Sequence, residues 1–149
     1  MLRSIILCTG ILAQDEAAPP ANQTPAKPVF DPVAFVGVQI EELIKRMGPP
    51  AAVYAVRGLH SWQDDVVFEY KNVDFYLFKD RVWQISLKSA NGVKLGDAKM
   101  AVNMVHQEAQ DKGAYIAAAV KGLSWPIEYR YYIDAKGKVA AIYLSRPDF

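Results

Sequence analysis

The chain of 149 residues is 52% hydrophobic and 11% aromatic with 22% charged residues, enough apolar material for a packed core and too little charge for a wholly disordered polymer. Seventeen Lys and Arg against sixteen Asp and Glu give a net charge of +1, which excludes nucleic-acid or anionic-lipid binding driven by bulk charge. One cysteine excludes a disulfide framework and a multi-cysteine metal site, and two histidines leave little for a zinc or triad enzyme.

Met1-Leu2-Arg3 is a short basic start, and Ser4 to Ala13 is uncharged and mostly apolar before the first acids, Asp15 and Glu16. That order reads as a secretory leader over residues 1–14; the run is too short to cross a bilayer, which takes roughly 20 apolar residues. Leu7 before Cys8 is a poor context for lipidation, so membrane contact is expected only if Cys8 carries a lipid. Removing residues 1–14 leaves sixteen residues of each charge and no thiol, a composition suited to an oxidising compartment. Residues 15–32 hold Pro19, Pro20, Pro25, Pro28 and Pro32, which restrict their neighbours to extended conformations and predict a tether.

The first helix is predicted from Ile40, Leu43, Ile44 and Met47, which share one face at i, i+3, i+4 and i+7. Glu41 and Glu42 near its start and Lys45 and Arg46 near its end suit the helix dipole, and Gly48-Pro49-Pro50 stops it. Strands follow near 52–56, 66–70, 73–78 and 82–88, with turns at Lys71-Asn72 and Lys79-Asp80-Arg81. A second helix is predicted from Ala98 to Lys112, capped by Asp97 and ended by Gly113. Strands near 115–120, 127–133 and 139–145 complete the chain, the last two joined by a turn containing Gly137.

The chain also resembles itself. Ala55-Val56-Arg57-Gly58-Leu59-His60-Ser61-Trp62 matches Ala119-Val120-Lys121-Gly122-Leu123-Ser124-Trp125 apart from one inserted His, and residues 79–87 match 136–144. These matches predict an α+β fold of two similar helix-plus-antiparallel-meander units, residues 33–91 and 92–149, packed as one compact body. Gly58, Trp62, Gly122 and Trp125 are then the structural anchors of the repeat, with both tryptophans in the core. The shorter second unit is expected to lack one strand.

A helix ending in Gly-Pro-Pro, a strand, a Trp and a meander closing on Lys-x-x-Val-x-x-Ile resembles the SmpA/OmlA (BamE-like) small envelope domains. Gly37, Ile40, Leu43, Met47, Gly48, Pro49, Trp62, Tyr70, Phe78, Val82 and Ile85 carry that resemblance, and two such units in one chain are similar to the tandem of the β-lactamase inhibitory proteins. The second unit departs from the pattern, with Lys112-Gly113-Ala114 in place of the prolines. The resemblance implies non-enzymatic protein binding in a bacterial envelope.

No residue pattern points to catalysis, a cofactor or a metal. His60-Ser61 near Asp64 and Asp65 lie too close in sequence to converge as a triad, which draws on separate segments. His106 beside Val105 reads as a packed histidine. Asp64, Asp65 and Glu69 lack the alternating oxygen ligands of a cation loop. The aromatic surplus is more informative: strand alternation puts Tyr76 and Phe78 on one face of residues 73–78, and Tyr132 opposite Tyr129 and Tyr131 on residues 127–133. Tyr76, Phe78, Tyr129, Tyr131 and Tyr132 are therefore the candidate partner-binding residues, with either Tyr132 or the Tyr129/Tyr131 pair left facing outward. The function read from the sequence is an exported, periplasmic or secreted, non-catalytic binding or scaffold protein with a protein partner. A small-molecule or lipid carrier and an enzyme inhibitor are the alternatives.

Overall fold

The chain enters its folded part through one turn of 3-10 helix, Pro32–Phe35, where Asp31 accepts a hydrogen bond from the Val33 amide at 3.0 Å. The computed structural model describes residues 30–58 and 60–148. The expected leader and residues 15–29 of the expected tether lie outside them.

Helix α1 (Ile40–Met47) carries Glu41 and Glu42 in its first turn and Lys45 and Arg46 in its last. Arg46 Nε donates to Glu42 Oε1 at 2.8 Å along the exposed side. Gly48 ends the helix at φ +79°, its amide reaching the Ile44 carbonyl at 2.8 Å. Leu43 is fully buried while Ile44 stays 40% exposed. An eight-residue helix meets the sheet along the line Ile40–Leu43–Met47, and Ile44 falls at the edge of that stripe.

Strands β1 (Ala52–Arg57), β2 (Asp64–Glu69), β3 (Val73–Phe78) and β4 (Arg81–Leu87) form an antiparallel meander. Lys79 (φ +48°) and Asp80 (φ +60°) make the two-residue turn between β3 and β4, in which both central residues must take positive φ. A small hairpin, β5 (Ser89–Ala90) and β6 (Val93–Lys94), turns through Asn91-Gly92, an Asn-Gly pair of the same turn type. Helix α2 (Lys99–Val105) leads into β7 (Gln110–Asp111), β8 (Tyr115–Ala119), β9 (Glu128–Ile133) and β10 (Val139–Ser145).

These strands do not make two helix-plus-meander units, as the sequence matches predicted. Pairing of β10 with β4, from Ile142 opposite Leu87 to Ser145 opposite Gln84, joins all the strands but β5 and β6 into one eight-stranded sheet in the order β1-β2-β3-β4-β10-β9-β8-β7. The helices are short, eight and seven residues, so the molecule is dominated by that single sheet. The physical reason is that pairing β4 with β10 gives each a hydrogen-bonded neighbour on both sides, so neither meander keeps an open edge there. The boundary expected between residues 91 and 92 falls inside the β5–β6 turn.

The second helix is also shorter than the predicted 98–112. It stops at His106, where Asn103, Val105 and His106 offer little helix propensity, and Gln110–Asp111 pair with β8 instead. Asp97 does not cap it; its carboxylate accepts from the Lys94 amide at 2.8 Å. Gly113 (φ +83°) turns the β7–β8 hairpin rather than ending a helix. With β6 and β7 present, residues 92–149 hold five strands among the described residues, not three.

What the similar segments share is a local anchor. The Gly37 amide bonds the Val82 carbonyl at 2.7 Å and the Val82 amide the Val38 carbonyl at 3.0 Å. The Gly96 amide bonds the Val139 carbonyl and the Val139 amide the Asp97 carbonyl, both at 2.8 Å. Both glycines sit at φ +86°, where a side chain is strained.

The core lies between the helices and one face of the sheet. Leu43 and Val102 meet Phe75, Val82, Ile85, Ile142, Leu144, Tyr131 and Ile116, all nearly or fully buried. Each such side chain stabilises the fold by about 1.5–3 kcal/mol.

Candidate interaction face

The buried helix residues all belong to that core; on the other face Val67, Asp65 and Ser145 are nearly or fully buried, while Tyr54 at its edge is 42% exposed. Cross-strand partners share a face, so the register places Tyr54, Val67, Tyr76, Gln84, Ser145 and Glu128 in one row across it. The next row brings Ser86, Tyr143, Arg130 and Ala117 together, and Tyr132 pairs with Tyr115 beyond them. A run of tyrosine rings results. Tyr76 meets Tyr143 at 6.1 Å between centroids, Tyr143 meets Tyr132 edge-on at 5.7 Å, and Tyr132 meets Tyr115 at 5.2 Å. These are the offset and edge-to-face geometries in which ring quadrupoles attract.

One ion pair lies inside this face, and the carboxylates Glu69 and Asp74 stand opposite each other at its far end, where burial and Glu69 together push the Asp74 carboxyl above the usual range. Arg130 Nε donates to Glu128 Oε1 at 2.6 Å with both side chains largely buried, and the guanidinium lies 5.2 Å from the Tyr115 ring. Asp65, 1% exposed, accepts from Gln63 Nε2 at 2.8 Å. Burial pushes its carboxyl above the usual carboxylate range, against the opposing pull of the Gln63 amide and the nearby Trp83 indole N–H. That N–H falls outside hydrogen-bond geometry and is the buried side-chain polar atom without a partner among the described residues. Burial likewise pushes the Tyr76 hydroxyl well above the ordinary tyrosine value, reinforced by Tyr143 and Tyr54. The Tyr76 hydroxyl therefore stays a neutral donor across the physiological range.

One end of the face is more apolar and more open. Trp62, in the β1–β2 loop, is 63% exposed and packs on Phe78 at 5.5 Å and on the His60 ring at 5.1 Å. Trp125, in the β8–β9 loop, is 46% exposed with the Arg146 guanidinium 5.8 Å from its ring. Neither is a core anchor, which corrects the expectation from the sequence matches. Both loops leave the same end of the sheet, and a Trp on such a loop has no opposing layer to enter. Trp83, 3% exposed, is the buried tryptophan; a register shift after Tyr76 gives β4 an extra residue there. Gly58 and Gly122 also differ. A Cβ on Gly58 would lie 2.5 Å from the Gln63 side chain, whereas Gly122 has open space but φ +82°.

Of the five candidate binding residues, the structure brings Tyr76, Phe78 and Tyr132 to the face away from the helices. Tyr129 and Tyr131 point to the helix side and are not part of it. Tyr131 is fully buried, its hydroxyl 2.8 Å from His106 Nε2 and 3.3 Å from Asn91 Nδ2. His106 stacks near both rings, and burial lowers its pKa below the usual histidine value. Sequence reading missed Tyr54, Tyr115, Tyr143 and Arg130, which join the face only through pairings between distant strands.

The residues of the His60-Ser61 turn are engaged elsewhere: Arg57 pairs with Asp64 at 2.8 Å and donates to the Ser61 carbonyl at 2.8 Å. The described residues hold no group of three or more His, Cys, Asp or Glu placed to bind a metal. An open cleft of about 600 Å³ on the helix side, lined by Met47, Tyr70, Val73 and Leu87 among others, is mostly apolar. No described helix is long and apolar enough to cross a membrane.

No protein-family model and no curated protein matches the chain. A solved structure is similar in fold: an extracellular protein containing a SCP domain from Bacillus anthracis str. Ames, at a TM-score of 0.52 and 10% identity. The match covers 88% of this chain and 50% of that one, so this chain spans half the length of its structural neighbour.

Proposed function

We propose that the chain is an exported, non-catalytic binding protein of a cell envelope that holds a protein partner against the sheet face away from the helices. One observation carries the reading: on that face Trp62 and Tyr54 remain 63% and 42% exposed beside a packed row of tyrosines, with Trp125, 46% exposed, at the same end of the sheet. Covering exposed apolar area stabilises a complex by about 25 cal/mol per Å². Aromatic side chains already held by their neighbours lose little freedom on binding, and Trp, Tyr and Arg are the residues that dominate interface energetics. The paired Arg130–Glu128 and the tyrosine hydroxyls offer directional bonds to a partner. Export is supported by the leader pattern of residues 1–14, and the extracellular protein of similar fold points the same way. The SmpA/OmlA-like residues Gly37 to Ile85 also favour an envelope binding role.

The test is retention of one partner from the native host. Wild-type protein should retain it, and a Tyr76→Ala/Tyr132→Ala double variant should lose it at least tenfold while keeping a cooperative melt. Undiminished retention by that variant would contradict the proposal.

A further inference from the structure

The two edges of the sheet are unequal. The β7 edge is two residues long, and Asp111 is tied to Lys99 Nζ at 2.7 Å and to the Gly113 amide at 2.8 Å. Short, charged edges of this kind resist pairing with another chain. The β1 edge is six residues, Ala-Val-Tyr-Ala-Val-Arg, and among the described residues it pairs only with β2. Val53 and Tyr54, on opposite faces of it, are 55% and 42% exposed. Its single charge, Arg57, stands at the end and is paired with Asp64.

The phase of the ladder shows which groups are free. The Gly58 amide bonds the Gln63 carbonyl at 2.9 Å, and antiparallel pairs alternate, so Ala52, Tyr54 and Val56 turn their backbone groups toward β2. The N–H and C=O of Val53, Ala55 and Arg57 therefore face outward. The Ala51 amide is already bonded to the Glu69 carbonyl at 2.8 Å.

We infer that β1 pairs antiparallel with β1 of a second copy of this chain, with Ala55 on the two-fold axis. In that register Val53 faces Arg57 of the second copy, Ala55 faces Ala55, and all the outward backbone groups of those three residues are matched. A two-fold on Tyr54 would instead set Arg57 against Ala51, whose amide is engaged. Charge agrees as well: Arg57 lies opposite Val53, so no like charges meet, and the near-neutral chain adds little repulsion. Tyr54 packs beside Val56 of the second copy, an aromatic–β-branched pair, and the two sheet faces away from the helices run on into each other. A six-residue seam buries less than the ~1,200–2,000 Å² of a standard stable interface, so the dimer is concentration-dependent. This inference is independent of the proposed partner face and can fail alone.

Disulfide trapping tests it in the full chain carrying Cys8→Ser. In a directly opposed hydrogen-bonded pair the Cα atoms are about 5.5 Å apart, within disulfide reach. Ala55→Cys should therefore cross-link into dimers at least tenfold faster than Val53→Cys or Asn72→Cys, the last on an exposed turn. Wild-type protein, unmodified at the edge, should show a sedimentation mass rising toward twice that of the monomer with concentration. Cross-linking of Ala55→Cys no faster than of Asn72→Cys, or a monomeric mass at every concentration, would overturn the pairing.

Discussion

Tyr131 and Tyr132 are adjacent in sequence and lie on opposite faces of β9, so truncating each in turn separates core from surface with a one-residue step. Tyr131 is fully buried and its hydroxyl meets His106 and Asn91. Tyr131→Ala removes a buried aromatic ring, which costs about 3–5 kcal/mol, and leaves two polar groups short of a partner. Tyr132 keeps part of its ring in solvent and contacts Tyr143 and Tyr115. Its truncation forfeits those two ring contacts and a fraction of its buried area, about 1–2 kcal/mol. In a domain of this size 1 kcal/mol moves Tm by about 2–4 °C, so Tyr131→Ala should melt about 6–20 °C below wild type and Tyr132→Ala about 2–8 °C below. Urea titration followed by circular dichroism, with unchanged slope, gives the free energies directly. Equal costs for the two variants, or a larger cost for Tyr132→Ala, would refute the assignment of faces.

Trp62→Ala and Trp125→Ala should each change unfolding free energy by under about 1 kcal/mol in the same titration, because both stand on loops and keep 63% and 46% of their surface in solvent. Gly58→Ala should cost about 1–3 kcal/mol, since the new Cβ displaces the buried Gln63 and with it the bond to Asp65; thermal melts of Gly58→Ala beside Asp65→Asn would resolve this. Burial lowers the His106 pKa, so the unfolded chain takes up a proton more readily. Stability attributable to His106 is complete above pH 6.5 and is lost as pH falls through the lower folded value, a decline that His106→Gln should remove from urea titrations between about pH 7.5 and 5. Asp65 runs the other way: its raised pKa favours the folded state below pH 3.8, and that contribution disappears as pH rises through the folded value.

Local signals in the sequence were strong enough to place most strands within a residue or two, because β-branched and aromatic runs end at turn residues such as Lys79-Asp80. Gly48 stops α1 as its position predicted. The second helix reads too long in the sequence because Gln110 and Asp111 pair with β8, and the larger misreading likewise concerns long-range pairing. Nothing local in residues 81–87 or 139–145 announces that β4 and β10 are neighbours, and that pairing turns two expected units into one sheet. The same limit governs the face. Alternation within β9 separates Tyr132 from Tyr129 and Tyr131, but only the position of α2 and the contact of His106 with Tyr131 decide which side is covered. Trp62 and Trp125 misled because their place in two matching segments suggested a shared core position, whereas both stand on loops at the same end of the sheet. Tyr143 and Arg130 could be assigned to the face only once β10 was known to lie between β4 and β9.

Site-directed photocrosslinking in the native host tests partner binding by the face away from the helices most directly, with p-benzoylphenylalanine replacing Tyr76, Tyr132 or Tyr129 in separate full-length chains. Irradiation should yield one shared protein adduct from positions 76 and 132 and none from position 129, which faces the helices. An adduct arising from position 129, or silence at both positions 76 and 132, would contradict the account.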